Sequence, residues 1–244
     1  MSRLKGKVAI VTGAAQGMGA AEATQFVEEG ATVYLTDVND QAGAALADSL
    51  GDAAHYVRLD VGDEESWNDL VETITKAHGG LDVLVNNAGL SRVGMVTDFD
   101  WDDFDAMVRV NQRGVLLGMR SVVEPMRARS GGSIINIASA AALKGLAGLS
   151  VYSGTKFAVR GMTQSAAAEL AADQIRVNVI HPGATDTPMH QANSPEWQAQ
   201  LLEQVPLRRF GTPVDIAEMA TFLASDASAY ITGSDFTVDG GFLL

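Results

Sequence analysis

The segment VAIVTGAAQGMGAAEATQFVEEG, residues 8–30, restricts the possible folds of this chain most strongly. Residues 8–11 are a short apolar run of strand formers, and the residues after the turn have the composition of a helix. The glycines between them let the backbone pass close to a pyrophosphate at the helix amino terminus: Gly13, Gly17 and Gly19. The spacing TGxxxGxG matches G-x-G-x-x-G loosely, so a purely structural turn stays open. The segment predicts a dinucleotide-binding strand–turn–helix unit.

The acidic end of the next apolar run indicates which dinucleotide is preferred. The run ATVYLTDV ends near Asp37, an acid placed to accept hydrogen bonds from an adenosine ribose and to repel a 2′-phosphate. Gln16 and Val38 occupy places where a basic residue would bind that phosphate. These residues predict NAD as the cofactor. The alternative is that Asp37 is a turn residue at a strand end.

A triplet later in the chain, Ser139, Tyr152 and Lys156, indicates carbonyl or alcohol chemistry. On a helix, Tyr152 and Lys156 stand at i and i+4 and share a face. A nearby ammonium group favours phenolate, so we expect it to lower the tyrosine pKa from about 10 toward working pH. Ser139 ends the run SIINIAS and is placed to bind the same substrate oxygen. Taken alone, YxxxK also describes a surface tyrosine and a surface lysine.

Together these motifs resemble the short-chain dehydrogenase/reductase family, of the single-domain type. The resemblance runs the whole length of the chain. Besides TGxxxGxG and YxxxK it rests on Asp60 after VRLDV, on the NNAG motif at 86–89, on Asn111, and on Pro182 with Gly183. Within the family the chain is most similar to bacterial NAD-dependent alcohol and hydroxysteroid dehydrogenases.

The resemblance implies catalytic roles for Asn111, Ser139, Tyr152 and Lys156. It implies that Asn111 sits at a helix irregularity and holds a water that connects the lysine to solvent. Capping of a local helix break is the alternative. Ala138 replaces the first of two adjacent serines found in many relatives, so Ser139 is the predicted hydroxyl.

The cofactor pocket follows partly from these motifs and partly from the resemblance. Asn87 is expected in the pocket and Gly89 where the backbone approaches the nicotinamide ribose, although NNAG is also a common turn sequence. The resemblance implies that Thr187 binds the nicotinamide carboxamide. The complete predicted set is Gly13, Gln16, Gly17, Met18, Gly19, Asp37, Val38, Asp60, Val61, Asn87, Ala88, Gly89, Tyr152, Lys156, Pro182, Gly183, Thr185, Thr187 and Met189.

Strand and helix patterns alternate from Val8 to Val238, which predicts an α/β fold with a Rossmann-type doubly wound parallel sheet of seven strands and helices on both faces. Residues 1–244 are expected to form one NAD-binding domain. The predicted strands are 8–12, 32–36, 55–59, 82–86, 133–138, 175–181 and 235–238. The predicted helices include 18–29, 41–50, 64–78, 101–127, 152–172 and 213–225.

The segment at about 184–212 is the least regular long stretch and is expected to form a substrate lid. Its apolar side chains favour a hydrophobic substrate bound by Ser139, Tyr152, Met189 and Trp197. Packing of the lid helix onto the body is an equal alternative for Trp197. Few basic residues face a ligand here apart from Arg208 and Arg209, which disfavours an anionic substrate.

Composition excludes several other classes. The formal net charge of −13 argues against nucleic acid and anionic membrane surfaces as partners. The chain has no cysteine, and its four histidines lack metal-ligand spacing, so we predict no metal. No apolar signal region or membrane-length run is visible, and a cytoplasmic location is expected. The family resemblance implies a homotetramer built through helices 101–127 and 152–172 and the last strand.

The predicted activity is reversible NAD-dependent oxidation of a hydrophobic secondary alcohol, of cyclic, aryl, terpene or steroid type, to the ketone. Three alternatives stay open. They are a 3-oxoacyl-carrier reductase of the same family, an epimerase or dehydratase on the same scaffold, and a catalytically silent NAD(H)-binding scaffold. Relatives of the epimerase kind have a larger substrate domain, and silent members typically lose the tyrosine or lysine.

Overall fold

The computed structural model describes residues 2–191 and 194–244, which form one parallel sheet with helices around it. The strand order is β3-β2-β1-β4-β5-β6-β7, and each neighbouring pair runs parallel. The strands are β1 Val8–Thr12, β2 Thr32–Asp37, β3 Ala54–Arg58, β4 Val83–Asn86, β5 Gly132–Ile137, β6 Ile175–Pro182 and β7 Asp235–Val238. The predicted doubly wound sheet of seven strands is confirmed.

The helices agree with the predicted positions, with one interruption. They are α1 Gly17–Glu28, α2 Asp40–Leu50, α3 Glu64–His78, α4 Trp101–Val108, α5 Val115–Ala128, α6 Ser150–Leu170, α7 Pro188–Gln191, α8 Pro195–Glu203 and α9 Pro213–Ala224. The predicted helix 101–127 is divided by a π-helical segment, Arg109–Gly114. A search of the described helices found none with the length and hydropathy needed to cross a membrane.

Alternate residues of the strands enter two separate hydrophobic cores, one on each face of the sheet. Ile10 packs in the same core as Trp67 of α3, whereas Val11 packs with Phe26 of α1. Side chains alternate across a strand, so a sheet covered on both faces needs apolar residues at consecutive positions. This explains why the sequences of the central strands are continuous apolar runs.

The sheet order places a cleft at the carboxyl ends of two adjacent strands, β1 and β4. The chain winds outward from β1 through β2 to β3, and then returns to the other side of β1 with β4. Loops leaving β1 and β4 therefore diverge to opposite faces. Ligands of open α/β sheets bind at such a switch point.

Glu22 of α1 is a buried acid with no counter-charge among residues 2–191 and 194–244. Its side chain is fully buried, and neither carboxyl oxygen has a hydrogen-bond partner among the described residues. Burial disfavours the charged carboxylate and raises the pKa of Glu22 to about 8. The folded protein therefore holds a proton on Glu22 that the unfolded chain releases near neutral pH.

Glu22→Gln should remove a component of the pH dependence of stability. The pKa of Glu22 is about 8 in the folded protein and has an ordinary value of 4.5. Its contribution to the free energy of unfolding is therefore fully present below pH 4.5 and is lost as pH rises through 8. The slope is about 1.4 kcal/mol per pH unit. Urea unfolding of both proteins between pH 5 and pH 8 measures it. Exposed Glu28 provides the control Glu28→Gln, and equal slopes in the wild type and Glu22→Gln would contradict the assignment.

Candidate active site

A cavity of about 460 Å³ opens at the carboxyl ends of β1 and β4. Predicted cofactor residues line most of it: Gly13, Gln16, Gly17, Met18, Asp37, Val38, Asp60, Val61, Asn87, Ala88, Gly89, Thr187 and Met189. Five lining residues were not predicted: Leu59, Leu90, Arg109, Val110 and Pro188. A larger cavity, about 580 Å³, lies around the amino ends of β5 and β6 and is lined by none of the predicted residues within the described chain.

Six predicted cofactor residues do not line this cavity: Gly19, Tyr152, Lys156, Pro182, Gly183 and Thr185. Gly183 shows one reason. A Cβ added at Gly183 would lie 2.7 Å from the Cα of Asp239, so the contact that requires glycine is with the loop after β7. Packing against the loop after β7 therefore explains why position 183 is a glycine in this structure.

The glycine turn packs tightly against the loop that follows β4. Gly13 has φ +64°, and a Cβ there would lie 2.8 Å from the Cα of Ala88. A Cβ on Gly19 would lie 2.4 Å from the carbonyl oxygen of Gly13. Both positions require glycine for packing within the chain. This requirement is compatible with a turn that also binds a ligand, so the two explanations for the glycines do not exclude each other.

Two polar features of the turn suit an anionic dinucleotide. Gln16, the residue that precedes α1, makes no side-chain capping bond within the described chain, which leaves the first-turn N–H groups available to an anion. The Asn87 side chain donates to the carbonyl oxygen of Thr12 at 2.9 Å, while its own Oδ1 is buried without a partner among the described residues. The cavity thus offers both donors and a free acceptor, which fits a dinucleotide.

Backbone amides hold the Asp37 carboxylate at the cavity edge. It accepts hydrogen bonds from the N–H of Ala15 at 3.0 Å and of Asn39 at 2.9 Å. Because both oxygens are anchored to backbone, the carboxylate has a defined position beside the cavity. Val38 and Gln16 also line the cavity, and neither carries a positive charge.

Arg109 fixes a second carboxylate, that of Asp60. The guanidinium donates to Asp60 at 2.6 Å, and this bond is the largest cause that lowers the pKa of Asp60 below its ordinary value. The N–H of Gly62 donates to the other oxygen at 3.0 Å. Arg109 begins the π-helical segment, a placement that sequence periodicity does not reveal.

Lys156 is a buried cation on α6. Its side chain is 3% exposed, and its Nζ donates to the carbonyl oxygen of Ile137 at 2.9 Å. Burial disfavours the charge and lowers the pKa of Lys156 to about 8. The Nζ lies 5.8 Å from the ring centre of Tyr152, one helical turn away.

The expected lowering of the Tyr152 pKa is wrong for this structure. Burial around the phenol group raises the pKa above its ordinary value, and the hydrogen bond with the Ser139 side chain opposes this. Ser139 follows β5 and begins a short 3₁₀ turn, where its Oγ accepts from the N–H of Ala141 at 3.1 Å. The hydrogen bond between the Ser139 and Tyr152 side chains brings them into contact, and their joint binding of a substrate oxygen stays a prediction.

From within the π-helical segment, Asn111 joins the loop after β4 to helix α6. Its Oδ1 accepts from the N–H of Leu90 at 2.8 Å, and its Nδ2 donates to the carbonyl of Leu90 at 2.8 Å and to Oγ1 of Thr155 at 3.0 Å. The predicted helix irregularity is present at Asn111. A Cβ on Gly89 would lie 3.4 Å from the Nζ of Lys156 and 3.5 Å from the Oδ1 of Asn111, so these groups adjoin the cavity wall.

Residues of the segment 184–212 cover one side of the cavity. A Cβ on Gly17 would lie 3.5 Å from Cγ2 of Thr187, and the half-exposed Met189 also lines the cavity. Trp197 of α8 does not line it; its ring lies 5.8 Å from that of His190. Packing within the segment thus accounts for Trp197 here. Residues 192–193 of the segment lie outside the described residues.

Comparison with known proteins gives consistent matches over nearly the whole chain. A family model described as enoyl-(acyl carrier protein) reductase matches residues 13–243. A 3-alpha-(or 20-beta)-hydroxysteroid dehydrogenase of Mycobacterium tuberculosis is 46% identical over 98% of this chain and 90% of that protein. A cyclopentanol dehydrogenase of Comamonas testosteroni is 40% identical over 99% of both chains. A 3-oxoacyl-(acyl-carrier-protein) reductase of Thermotoga maritima is 39% identical over 99% of this chain and 100% of that protein.

Ser139→Ala should raise the pKa of Tyr152 further. The substitution removes the hydrogen bond that lowers this pKa and leaves the burial that raises it. Ultraviolet difference titration of tyrosinate measures the change, with Tyr152→Phe identifying the Tyr152 contribution. A Tyr152 pKa that stays unchanged or falls in Ser139→Ala would contradict the assignment of a pKa-lowering hydrogen bond from Ser139 to Tyr152.

Proposed function

Because the chain belongs to the short-chain dehydrogenase/reductase family, whose members are oxidoreductases that bind a nicotinamide cofactor, we propose that it interconverts hydrophobic secondary alcohols and ketones using NAD. The observation that carries the proposal is that the side chains of Ser139, Tyr152 and Lys156 lie close together beside the cavity. Burial of the charged Lys156 lowers the stability of the folded protein. A catalytically silent scaffold would gain nothing from this loss, so the buried lysine favours an enzyme. We propose that residues 1–244 act as one NAD-binding unit, with the segment 184–212 as substrate lid.

Tyr152 is the proposed proton-transfer group. During oxidation its phenolate oxygen takes the hydroxyl proton of the alcohol, and during reduction the phenol returns a proton to the forming alkoxide. Ser139 donates a hydrogen bond to the same substrate oxygen. A nicotinamide cofactor held by the cavity residues would provide the hydride acceptor for oxidation and the hydride donor for reduction. Positioning and preorganised charge supply most of the rate enhancement.

Lys156 and Asn111 are proposed to support this proton transfer. The Lys156 ammonium group lies 5.8 Å from the ring centre of Tyr152 and adjoins the cavity wall at Gly89, where it would bind the ribose of the nicotinamide half. The Asn111 side chain holds the Leu90 loop against α6 by hydrogen bonds to Leu90 and Thr155. The water-mediated link from Asn111 to solvent stays a prediction.

The cavity residues divide between the parts of a dinucleotide. The glycine turn and the amino end of α1 would hold the pyrophosphate, Asp37 the adenosine ribose, and Asp60 the adenine. Asn87 and Gly89 would lie at the nicotinamide half, with Thr187 at its carboxamide. All of these residues except Gly19 of the glycine turn line the cavity, which supports the assignment.

Tyr152→Phe should abolish turnover while NADH binding is nearly unchanged. The substitution removes the transferable proton and little volume, and loss of general acid–base help costs on the order of 10²–10⁴-fold in kcat. Steady-state rates with a slowly reacting alcohol, and NADH binding by fluorescence, measure the two effects. A variant that kept more than a few tenths of the wild-type rate would refute the assignment.

NAD should be preferred over NADP because Asp37 would face the adenosine ribose of a dinucleotide bound in the cavity. A carboxylate anchored by two backbone amides would repel a 2′-phosphate, and neither Gln16 nor Val38 would compensate it. The double variant Asp37→Ser/Val38→Arg should narrow or reverse the preference. The measurement is kcat/KM for both cofactors. Equal or better use of NADPH by the wild type would contradict the proposal.

A bulky apolar alcohol or ketone is the proposed substrate class. Met189 is exposed at the cavity and adapts to irregular apolar shapes. The names of the Mycobacterium and Comamonas relatives, a hydroxysteroid and a cyclopentanol dehydrogenase, support a cyclic secondary alcohol. Trp197 would join the substrate site through a lid arrangement that brings it away from His190.

A 3-oxoacyl-carrier reductase is the second candidate, favoured by the Thermotoga relative and by the description of the family model. Anionic carriers need unpaired basic residues near the site. Arg209 forms an ion pair with Asp215 at 2.8 Å, and Arg208 donates a hydrogen bond to the carbonyl oxygen of Glu203 at 3.0 Å. The Arg209 ion pair weakens the case for a carrier protein, because it neutralises one of these two basic side chains.

Values of kcat/KM should rise from acetone through cyclohexanone to bicyclic, aryl and steroid ketones. Each buried CH₂ contributes about 0.8 kcal/mol, or roughly fourfold, until the pocket is full. Initial rates of NADH oxidation over this series, together with an acetoacetyl thioester, provide the measurement. Preference for the thioester would move the protein to the carrier-reductase class and assign Arg208 and Arg209 to the binding site.

A homotetramer and a cytoplasmic location also stay predictions. Exposed apolar side chains lie on the helices expected to form the subunit interface: Trp101 of α4 at 76%, Leu116 of α5 at 53% and Phe157 of α6 at 45% exposure. Association through these helices would remove that surface from water. This arrangement supports the proposed tetramer.

A further inference from the structure

We propose that His181 is a positioning residue for Ser139, and that it is the inner member of a polar chain running from Arg160 through Asp235. The inference rests on the proposed role of Ser139 in alcohol and ketone chemistry. His181 lies on β6, directly before Pro182, and its side chain is fully buried. Neither the sequence motifs nor the cavity lining includes it.

Both ring nitrogens of His181 face oxygen atoms. Nε2 lies 2.7 Å from a carboxyl oxygen of Asp235, and Nδ1 lies 3.1 Å from the carbonyl oxygen of Ser139. Neither a carboxylate nor a carbonyl has a hydrogen to donate, so both contacts are hydrogen bonds when the ring carries a hydrogen on each nitrogen. A buried ring of this kind needs a negative partner, and Asp235 supplies it.

The outer members hold Asp235 in its ionised form. Arg160 donates to both carboxyl oxygens, at 2.9 and 3.1 Å. Burial alone would raise the pKa of Asp235, but the hydrogen bonds from Arg160 and His181 outweigh it, and the pKa lies below its ordinary value. Bidentate pairing also fixes the direction of the carboxylate.

Sheet register places these side chains together. Asp235 of β7 pairs with Val179 of β6, and His181 is two residues further along β6, on the same face. Arg160 reaches this face from α6, one turn after Lys156. Helix α6 thus carries Tyr152 and Lys156 directly and reaches Ser139 through the polar chain.

The consequence for Ser139 is a fixed backbone. Its carbonyl accepts from the N–H of Ala142 at 2.8 Å as well as from His181, while its Oγ accepts from the N–H of Ala141. These bonds therefore hold both the backbone and the Oγ of Ser139 in place. A misplacement of about 1 Å in a group at the reacting centre costs up to about 100-fold in rate.

Two substitutions separate the two contacts of the ring. The amide nitrogen of asparagine stands as many bonds from the backbone as histidine Nδ1, and that of glutamine as many as Nε2. His181→Asn therefore keeps a donor for the Ser139 carbonyl, whereas His181→Gln keeps one for Asp235. We expect His181→Gln to lower kcat by about 10- to 100-fold with KM nearly unchanged. His181→Asn should stay within a few-fold of wild type.

A second measurement requires no turnover. The carbonyl-carbon resonance of Ser139, read through the amide of Ala140, responds to hydrogen bonds that the carbonyl accepts. It should move in His181→Gln and stay close to the wild-type value in His181→Asn. Asp235→Asn, which leaves the ring in place but removes its negative partner, should move the same resonance and lower kcat. It serves where a His181 variant fails to fold.

The outcomes distinguish this inference from the proposed function. A wild-type protein without turnover on any secondary alcohol would refute the function, while the resonance would still decide the His181 contact. Equal kcat losses in His181→Asn and His181→Gln would indicate a general packing role and overturn the inference. An unmoved Ser139 carbonyl resonance in both His181→Gln and Asp235→Asn would also overturn it.

Discussion

The hydrogen bond from the buried Lys156 ammonium to the carbonyl of Ile137 is the interaction on which the rest of the site depends. It joins α6 to the end of β5, and Ser139 follows two residues after that carbonyl. The same helix carries Tyr152 one turn earlier and Arg160 one turn later. The depressed pKa of Lys156 shows that the fold holds this charge at a cost. Such a cost is typical of groups kept for function and not for stability.

The second constraint is the sheet order, which places the cavity and the proposed proton-transfer groups at the carboxyl ends of the strands. The loops after β1 and β4 separate at the switch point and form the cavity, while the neighbouring β5 and β6 bring Ser139 and His181 into contact with each other at their carboxyl ends. Asn111 connects the two regions, because its hydrogen bonds reach the loop after β4 and Thr155 on α6. Under the proposed function, neighbouring strands would thereby hold the cofactor and the substrate oxygen.

Sequence reasoning predicted the sheet, the glycine turn and the triplet, because each depends on local patterns: apolar runs, glycine spacing and the i, i+4 repeat. It missed Arg109 and His181, whose partners Asp60 and Asp235 are distant in the chain and are brought near only by the fold. It also gave the wrong direction for the Tyr152 pKa, since burial is a tertiary property. Trp197 shows the same limit, since its packing on His190 follows from the fold of the segment.

The central claim, that Lys156 is a buried charge kept for chemistry, is tested most directly by Lys156→Met. Moving the pKa from 10.5 to about 8 corresponds to roughly 3 kcal/mol, and losing the bond to Ile137 returns about 1 kcal/mol. Denaturant unfolding at pH 7 should therefore show a variant more stable by roughly 2 kcal/mol, with alcohol turnover abolished. The exposed Lys76→Met is the matched control. A Lys156→Met protein that is less stable than wild type, or that retains turnover, would contradict the account.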